Sequence, residues 1–286
     1  MENSLSPRSK IMDAIWYWYL TGEAYNEVDH SIRRNNQIMK MMMLPLPGKP
    51  RCLECSTPLG GVGGKVVGLF GLSRASFSPK LCNQCEKFLR KHGGGAEVEL
   101  SMLFADVRGS TNLAESRPTE EFAGLIRRFY NVSTEVLIEH NALINRLMGD
   151  QVIGLFTPRF TGRKHARAAI HSALNLLKAL GHASSEGPWV PVGVGVHSGR
   201  VYVGSVGSQD QVEEIAVLGN EANLTARLSA HAGAGEVIIS AASAANAGLD
   251  TGGLEQRILT LKGLSEPVQA YVLRATDSLK LEREIA

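Results

Sequence analysis

The segment EVELSMLFADVRGSTN, residues 97–112, constrains the fold more than any other part of this sequence. Its first half alternates apolar and polar side chains, which predicts a half-buried strand. The strand ends in Asp106, and a Gly-Ser-Thr turn follows at residues 109–111. A carboxylate delivered to a strand tip before a turn is available to a metal ion or a phosphate-bearing ligand. Asp is also common as a helix cap, which is the simpler alternative.

The pattern after residue 97 is regular and predicts the order strand, helix, strand, strand, helix, strand. ALINRLMGDQVIGLF predicts two strands joined by a tight turn at Gly149 and Asp150. VPVGVGVHSGRVYVGSV predicts a strand pair, and RILTLKGLSEPVQAYVL predicts two strands around a Lys-Gly turn. We therefore expect an α+β, ferredoxin-like fold, with an antiparallel-type sheet and helices on one face.

The part of the chain before residue 96 has a different character. Apolar and aromatic residues recur at helical spacing between residues 8 and 43, which predicts a helical segment. Residues 44–95 are rich in Gly and Pro and carry all four cysteines, which predicts a small, loop-rich module with a thin core. The expected division is 1–43 helical segment, 44–95 four-cysteine module, 96–276 main α+β domain and 277–286 tail.

Charge and hydropathy exclude some classes of protein. The formal net charge is +2, which does not favour nucleic-acid binding. No apolar run approaches the roughly 18 residues of a membrane helix, and the first ten residues lack the apolar core of a signal peptide. We expect a cytoplasmic protein without a membrane span, in which thiols stay reduced.

The cysteines form two C-x-x-C pairs, CLEC and CNQC, with 26 residues between the pairs. In a reducing compartment this pairing favours a metal site over disulfides. Four thiolates suit a tetrahedral Zn²⁺ ion, and an iron–sulfur cluster uses the same ligands. The expected ligands are Cys52, Cys55, Cys82 and Cys85.

Asp106 and Asp150 end or join strands that are neighbours in a ferredoxin-like arrangement. Two nearby carboxylates repel one another unless a cation lies between them. Hard divalent cations such as Mg²⁺ take carboxylate oxygens and bring substrate phosphates with them. The backbone N–H groups of VRGSTN are suited to phosphate oxygens.

Five motifs, in this order and spacing, resemble the catalytic domain of class III nucleotidyl cyclases, the adenylate and guanylate cyclases. They are LFADVRGST, RLMGDQVIGLF, VGVHSGRVYVGSVG, AVLGNEANLTARL and LKGLSEPVQAYVL. The resemblance covers roughly residues 97 to 275. It implies a reaction in which the 3′-hydroxyl of a nucleoside triphosphate attacks the α-phosphorus and pyrophosphate leaves.

The resemblance assigns roles to particular residues. Asp106, Asp150 and the carbonyl of Val107 match the ligands of two Mg²⁺ or Mn²⁺ ions per active site. The pair that orients the ribose and stabilises the transferring phosphate is matched by Asn223 and Arg227. The groups that hold the phosphates are matched by the amides of Val107, Arg108, Gly109, Ser110 and Thr111, and by the side chains of Arg200 and Lys262.

In this family the active site forms between two catalytic domains, with the metal aspartates from one and the asparagine, arginine and lysine from the other. Both sets occur in this chain, which implies a homodimer with two equivalent sites. A regulator that binds nucleotide without turnover is the alternative. A redox or metal sensor in which the four-cysteine module gates the cyclase is compatible with catalysis.

Two positions depart from the family's base-selecting pattern. Arg146 stands where Lys is usual for adenine and Glu for guanine, and Ala216 stands where Asp, Thr or Cys is usual. A guanidinium donates hydrogen bonds and accepts none, which argues against guanine with its N1–H and amino group. We expect ATP as the substrate. The alternative is UTP or CTP, whose carbonyl oxygens suit the fork of an arginine.

Overall fold

The computed structural model describes residues 7–23, 30–75, 78, 80–91, 93–208, 212–261 and 266–279. The helices are α1 (Pro7–Thr21), α2 (His30–Met43), α3 (Gly61–Gly68), α4 (Asn83–Lys91), α5 (Ser110–Glu115), α6 (Thr119–Glu139), α7 (Pro158–Thr161), α8 (His165–Ala179), α9 (Asn220–His231) and α10 (Ala241–Ala247). The strands are β1 (Gly95–Val107), β2 (Leu143–Met148), β3 (Gln151–Phe156), β4 (Val192–Ser208), β5 (Val212–Leu218), β6 (Glu236–Ser240), β7 (Glu255–Leu259) and β8 (Val268–Arg274).

The chain divides into two compact units. One comprises Met1–Val98 with Tyr202–Val217, and the other comprises Glu99–Val201 with Leu218–Ala286. The first unit therefore contains the N-terminal helices, the cysteines and the hairpin of late β4 and β5. The second contains most of the sheet and the helices α5 to α10.

In the first unit, α1 is a buried helix. Trp16, Tyr19 and Leu20 are at most 1% exposed, and the indole N–H of Trp16 donates to the carbonyl of Gly93 at 3.1 Å. Residues 61–68 and 83–91 form α3 and α4. Within the stretch expected to be loop-rich, Cys52 and Cys55 lie in a turn, whereas Cys85 lies in α4. No helix among the described residues has the length and hydropathy that crossing a membrane requires.

The sheet runs in the order β2-β3-β1-β4-β6-β8-β7, with β5 paired to β4. β1 with β3, β2 with β3, β6 with β8 and β7 with β8 are antiparallel pairs. β4 and β6 are parallel, so the sheet is mixed rather than purely antiparallel. The tight turn predicted at Gly149 and Asp150 is present between β2 and β3.

Helices cover both faces of the sheet in the second unit. Val237 and Ile239 of β6 belong to the large core, to which α6, α8 and α10 contribute. Ile238, between them, belongs to a smaller cluster with Leu228 of α9. Because successive residues of a strand point to opposite faces, α9 packs on the face opposite α6, α8 and α10. The expectation of helices on one face is therefore wrong for α9.

Residues 192–208 form one continuous strand of 17 residues, where the sequence predicted a strand pair. Within this strand, His197 and Ser198 are buried and hydrogen-bonded to Ser240 and Ser101. These partners satisfy the polar side chains inside the sheet, so the strand has no need to turn towards water.

Gly195 of β4 allows α9 to approach the sheet closely. A Cβ atom at this position would overlap the backbone N of Ser229 and lie 2.7 Å from the carbonyl oxygen of Thr225. Both atoms belong to the backbone of α9, so relief requires a shift of the whole helix.

We predict that Gly195→Ala destabilises the protein by about 1–3 kcal/mol, the usual cost of overpacking. The matched control is Gly124→Ala in α6, where an added Cβ meets open space. That change should stabilise the helix by about 0.5–1 kcal/mol. Denaturant unfolding measures both values. Equal effects of the two substitutions would contradict the close packing of α9.

Candidate active site

The strand pairing brings Asp106 and Asp150 to the same end of the sheet. Asp106 of β1 pairs with Gln151 of β3 in the antiparallel register. The next residue, Val107, donates its backbone N–H to the carbonyl of Asp150 at 3.1 Å. Asp150 directly precedes Gln151, the cross-strand partner of Asp106, so the two acids are near neighbours. Both are half-buried.

Burial raises the pKa of the Asp106 carboxyl above its ordinary range. The Arg108 guanidinium opposes this shift, and the neighbouring Asp150 carboxylate adds to it. A nearby negative charge raises the pKa of a carboxyl, so this effect indicates that Asp106 and Asp150 lie close together.

The side chain of Arg108 closes over Asp106. Its guanidinium forms an ion pair with the Asp106 carboxylate and donates to the Asp106 carbonyl at 3.2 Å. A further N–H donates to the carbonyl of Ala230, in α9, at 3.2 Å. The sequence interpretation used only the backbone amide of Arg108. A cationic side chain two residues after a strand-end acid was the signal available for this contact.

Tyr130 supports the turn that carries Asp150. Its hydroxyl donates to the carbonyl of Gly149 at 2.6 Å, from the neighbouring helix α6. Burial raises the pKa of Tyr130, and the charge of Asp150 raises it further. Nothing in the local pattern of α6 singled out this residue, because the contact is 19 residues away in sequence.

The turn after β1 leaves only some of its backbone amides available. Gly109 adopts φ 65°, which lets the chain turn directly into α5. The amide of Val107 is bonded to Asp150, and the amide of Arg108 donates to the carbonyl of Pro191 at 2.8 Å. The amides of Gly109, Ser110 and Thr111 remain at the start of α5, where helix geometry gives N–H groups no intrahelical partner.

Asn223 and Arg227 lie one helical turn apart on α9, so both side chains share one face. Asn223 is exposed and Arg227 is half-buried. Within the described residues, no hydrogen bond or ion pair joins either of them to Asp106 or Asp150. The structure therefore presents two separate groups of the expected site residues on one chain.

A buried polar network fixes the start of α9. His197 of β4 hydrogen-bonds to the Glu221 carboxylate through Nε2 and to the Ser240 hydroxyl through Nδ1, at 2.7 Å for the latter. Burial lowers the pKa of His197, against the opposing effect of Glu221. A neutral ring that donates to Glu221 accepts from Ser240. The sequence interpretation gave His197 no role; here it connects β4 with the helix that carries Asn223.

The remaining expected residues are placed as follows. Arg200 is exposed on β4, and Ala216 is half-buried on β5. Arg146 lies in β2 beside a register shift, opposite Ile153, and its side chain is outside the described part of the structure. Lys262 lies outside the described residues.

The donor set at the strand tips fits a hard divalent cation. Two carboxylates and nearby backbone carbonyls are the oxygen ligands that Mg²⁺ and Mn²⁺ take. The region already holds a positive group, since the Arg108 guanidinium pairs with Asp106. Binding of a metal ion to this carboxylate would displace that guanidinium.

A second group of potential metal ligands lies in the first unit. The sulfur atoms of Cys52, Cys55, Cys82 and Cys85 all lie within 4.8 Å of one another, and none forms a disulfide. This four-cysteine cluster can hold a metal ion.

Comparison with known families agrees with this geometry. The family of the adenylate and guanylate cyclase catalytic domain matches residues 96–274, more than half of the chain. The chain belongs to this family. The α+β cyclase fold expected from the sequence is confirmed, with helices and a four-cysteine cluster before the sheet.

Two similar curated proteins come from Mycobacterium tuberculosis. The uncharacterized protein Rv1320c of Mycobacterium tuberculosis is 33% identical over 135 residues, covering 47% of this chain and 23% of the relative. The uncharacterized protein Rv1319c of the same organism is 30% identical over 135 residues, covering 47% and 24%. The matched part is thus about a quarter of the length of these relatives.

Solved structures show the same fold. The guanylyl cyclase Cya2 matches with a TM-score of 0.57 and 23% identity, covering 67% of this chain and 96% of that one. The adenylyl cyclase CyaB from P. aeruginosa matches with a TM-score of 0.55 and 24% identity, covering 66% and 97%. At these identities the likeness is one of fold, and it does not distinguish ATP from GTP.

We predict a characteristic pH dependence for the protein dialysed free of Mg²⁺ and Mn²⁺. Because burial raises the pKa of Asp106, its contribution to stability is complete below the unfolded value of about 4 and is lost as the pH rises through the folded value. Relative to Asp106→Asn, the wild type should lose free energy of unfolding as the pH rises towards neutrality.

Denaturant unfolding at a series of pH values measures this difference. Glu115→Gln, at an exposed acid of α5, is the control and should track the wild type. Saturating Mn²⁺ should restore stability to the wild type and not to Asp106→Asn. Parallel pH profiles of the wild type and Asp106→Asn would contradict a raised pKa at Asp106.

Proposed function

We propose that this protein is a metal-dependent nucleotidyl cyclase that converts a nucleoside triphosphate, ATP first, to the 3′,5′-cyclic monophosphate and pyrophosphate. The observation that carries the proposal is the cross-strand placement of Asp106 beside Asp150, through the Val107-to-Asp150 hydrogen bond of 3.1 Å. Membership of the cyclase catalytic domain family supports the same chemistry.

Asp106, Asp150 and the carbonyl of Val107 would hold two Mg²⁺ or Mn²⁺ ions. When bound, such ions lower the pKa of the attacking hydroxyl and spread the charge that develops at phosphorus. The amides of Gly109, Ser110 and Thr111 would donate hydrogen bonds to the triphosphate oxygens. Arg108, which pairs with Asp106, would then compete with such an ion for the carboxylate.

Asn223 orients the ribose in this proposal, and Arg227 stabilises negative charge on the transferring phosphate. Arg200 and Lys262 bind the phosphates that leave as pyrophosphate. The network of His197 and Glu221 acts through position, because it holds the first turn of α9 on which Asn223 stands.

The two groups of residues are brought together by a second copy of the chain. Asn223 and Arg227 have no hydrogen bond or ion pair with the metal aspartates within the described part of one chain. A two-fold axis would place them opposite the aspartates of the partner twice, giving a homodimer with two equivalent sites.

Adenine is the base that fits Arg146 and Ala216 best among the purines. An arginine offers donors only, and these suit the unprotonated N1 of adenine and repel the N1–H of guanine. Ala216 provides no side-chain acceptor for the adenine amino group, so a backbone carbonyl or water would serve. The lack of a side-chain acceptor at Ala216, together with the two donors of the Arg146 guanidinium, favours UTP or CTP as the second candidate.

We assign the reaction to the cytoplasm, where nucleoside triphosphates are abundant and where thiols such as the four free cysteines remain reduced. The product would be a cyclic nucleotide signal. No step of the reaction needs the four-cysteine cluster.

Incubation of the purified chain with ATP, GTP, UTP and CTP in turn, with Mn²⁺ or Mg²⁺, tests the proposal directly. Separation of the products by chromatography should show cyclic AMP as the main product. Ala216→Asp supplies an acceptor for the adenine amino group and should raise kcat/KM for ATP over UTP by about 10-fold, the value of one good hydrogen bond. Cyclisation of pyrimidine nucleotides alone would overturn the choice of ATP.

Mixing two inactive variants tests the shared site. Asp106→Asn and Arg227→Ala should each lower kcat by about 10²–10³-fold, whereas Arg127→Ala, on the exposed side of α6, should not. Mixed chains form heterodimers in which one of two sites has both intact groups, so about a quarter of the wild-type activity should return. No recovery, from variants shown to exchange subunits, would contradict the dimeric site. Nucleotide binding without any turnover by the wild type would favour a silent regulator.

A further inference from the structure

The four cysteine sulfurs form one compact cluster. The sulfur of Cys52 lies 3.8 Å from that of Cys85, and the sulfur of Cys55 lies 3.6 Å from that of Cys82. All four sulfurs lie within 4.8 Å of one another. These separations are far beyond the roughly 2.05 Å of a disulfide bond.

The spacing matches a single central ion. Four sulfurs at about 2.3 Å from a tetrahedral Zn²⁺ lie about 3.8 Å from each other. Two of the measured separations agree with this value within 0.2 Å. The backbone N–H of Cys82 also donates to the sulfur of Cys52 at 3.3 Å, a contact that stabilises a thiolate.

An iron–sulfur cluster needs a wider cage. In a [4Fe–4S] cluster each cysteine binds a different iron, and in a [2Fe–2S] cluster the two pairs bind different irons with sulfides between them. Some cysteine sulfurs are then separated by the width of the cluster. Four sulfurs mutually within 4.8 Å leave room for one ion and for no bridged cluster.

We infer that Cys52, Cys55, Cys82 and Cys85 bind one structural Zn²⁺ ion, which braces α4 against the hairpin of β4 and β5. The site is largely closed, since Cys52, Cys55 and Cys82 are 2%, 5% and 1% exposed and Cys85 is half-buried. Four protein ligands and little solvent are the marks of a structural rather than a catalytic zinc site.

The ion joins two segments that are distant in sequence. Cys52 and Cys55 lie in a tight loop, in which the amide of Ser56 donates to the carbonyl of Cys52 at 2.9 Å. Cys82 immediately precedes α4 and Cys85 lies in its first turn. Because the two segments that supply the ligands are distant in sequence, the metal would contribute folding free energy to this Gly- and Pro-rich stretch.

The other end of α4 contacts the hairpin. The carbonyl of Arg90, in the last turn of α4, accepts a hydrogen bond from the Ser205 hydroxyl at 3.1 Å. The carbonyl of Gly94 accepts from the Ser205 amide at 2.9 Å. Ser205 belongs to β4, which pairs with β5 in the same compact unit.

β5 carries Ala216 and continues through Gly219 into α9, which begins at Asn220. The zinc-supported hairpin therefore leads, along the chain, to the base-selecting position and then to Asn223 and Arg227. This consequence for catalysis rests on the proposed cyclase function, whereas the zinc site itself does not.

Metal analysis of the full chain, purified without chelators, tests the site. We expect one zinc per chain, with no iron, no acid-labile sulfide and no visible absorption. Cys82→Ser and Cys85→Ser should lower the zinc content to less than half, and Lys87→Ser, at an exposed position of α4, should retain it. Iron with sulfide, or full zinc content in both cysteine variants, would overturn the inference.

The wild type provides a measurement that does not depend on the folding of a variant. Titration with p-hydroxymercuribenzoate should release one zinc ion as four thiols react. A metallochromic dye detects the released zinc. Zinc released before any thiol reacts would exclude thiolate coordination.

The bracing role is tested by comparing zinc-depleted, zinc-restored and untreated protein, each with Mg²⁺ or Mn²⁺ added back. Depletion should lower the Tm and reduce kcat by on the order of tenfold to a hundredfold, the effect of misplacing a catalytic group. Added zinc should restore both. An unchanged kcat in the zinc-free protein would overturn the brace and leave the zinc site standing, and a lack of cyclase activity in every form would refute only the proposed function.

Discussion

The antiparallel pairing of β1 with β3 is the constraint on which the candidate site depends. Side chains alternate along a strand, so a shift of one residue would move Asp106 to the other face of the sheet. The register that pairs Asp106 with Gln151, and the bond from Val107 to Asp150, place both acids at one sheet end. The tight turn at Gly149, held by the Tyr130 hydroxyl, then fixes where the second acid stands.

A set of buried polar side chains in the second unit forms continuous contacts around β4. Ser198 bonds to Ser101 of β1 at 2.6 Å and to Ser243 of α10 at 2.8 Å, while His197 bonds to Glu221 of α9. Each hydroxyl or ring nitrogen has a partner, so these groups specify one arrangement of strands and helices without the penalty of unpaired burial. The close approach at Gly195 seats α9 on the same strand. β4 therefore contacts helices on both faces of the sheet.

The sequence was sufficient for features that depend on neighbouring residues. Period-two alternation predicted β1, and Gly149 with Asp150 predicted the turn after β2, because both signals are local. The continuity of β4 was not predictable in this way, because its polar side chains are satisfied by Glu221 and Ser101, which are distant in sequence. Likewise GVGGKVVG has weak helix propensity, and α3 forms because the chain around Pro47 accepts its first amides, as in the 2.7 Å bond from Gly63. The ion pair of Arg108 and the support from Tyr130 are tertiary contacts with no local signature.

The pairing of Arg108 with Asp106 places a positive charge at the strand tip, close to the Asp150 carboxylate. In the proposed metal centre, a divalent ion would compete with this guanidinium for the Asp106 carboxylate. Loading would then exchange one cation for another, and salt would screen the initial and the final ion pair alike. Ionic strength should therefore weigh less on the loading of such a centre than on an open carboxylate pair at a protein surface.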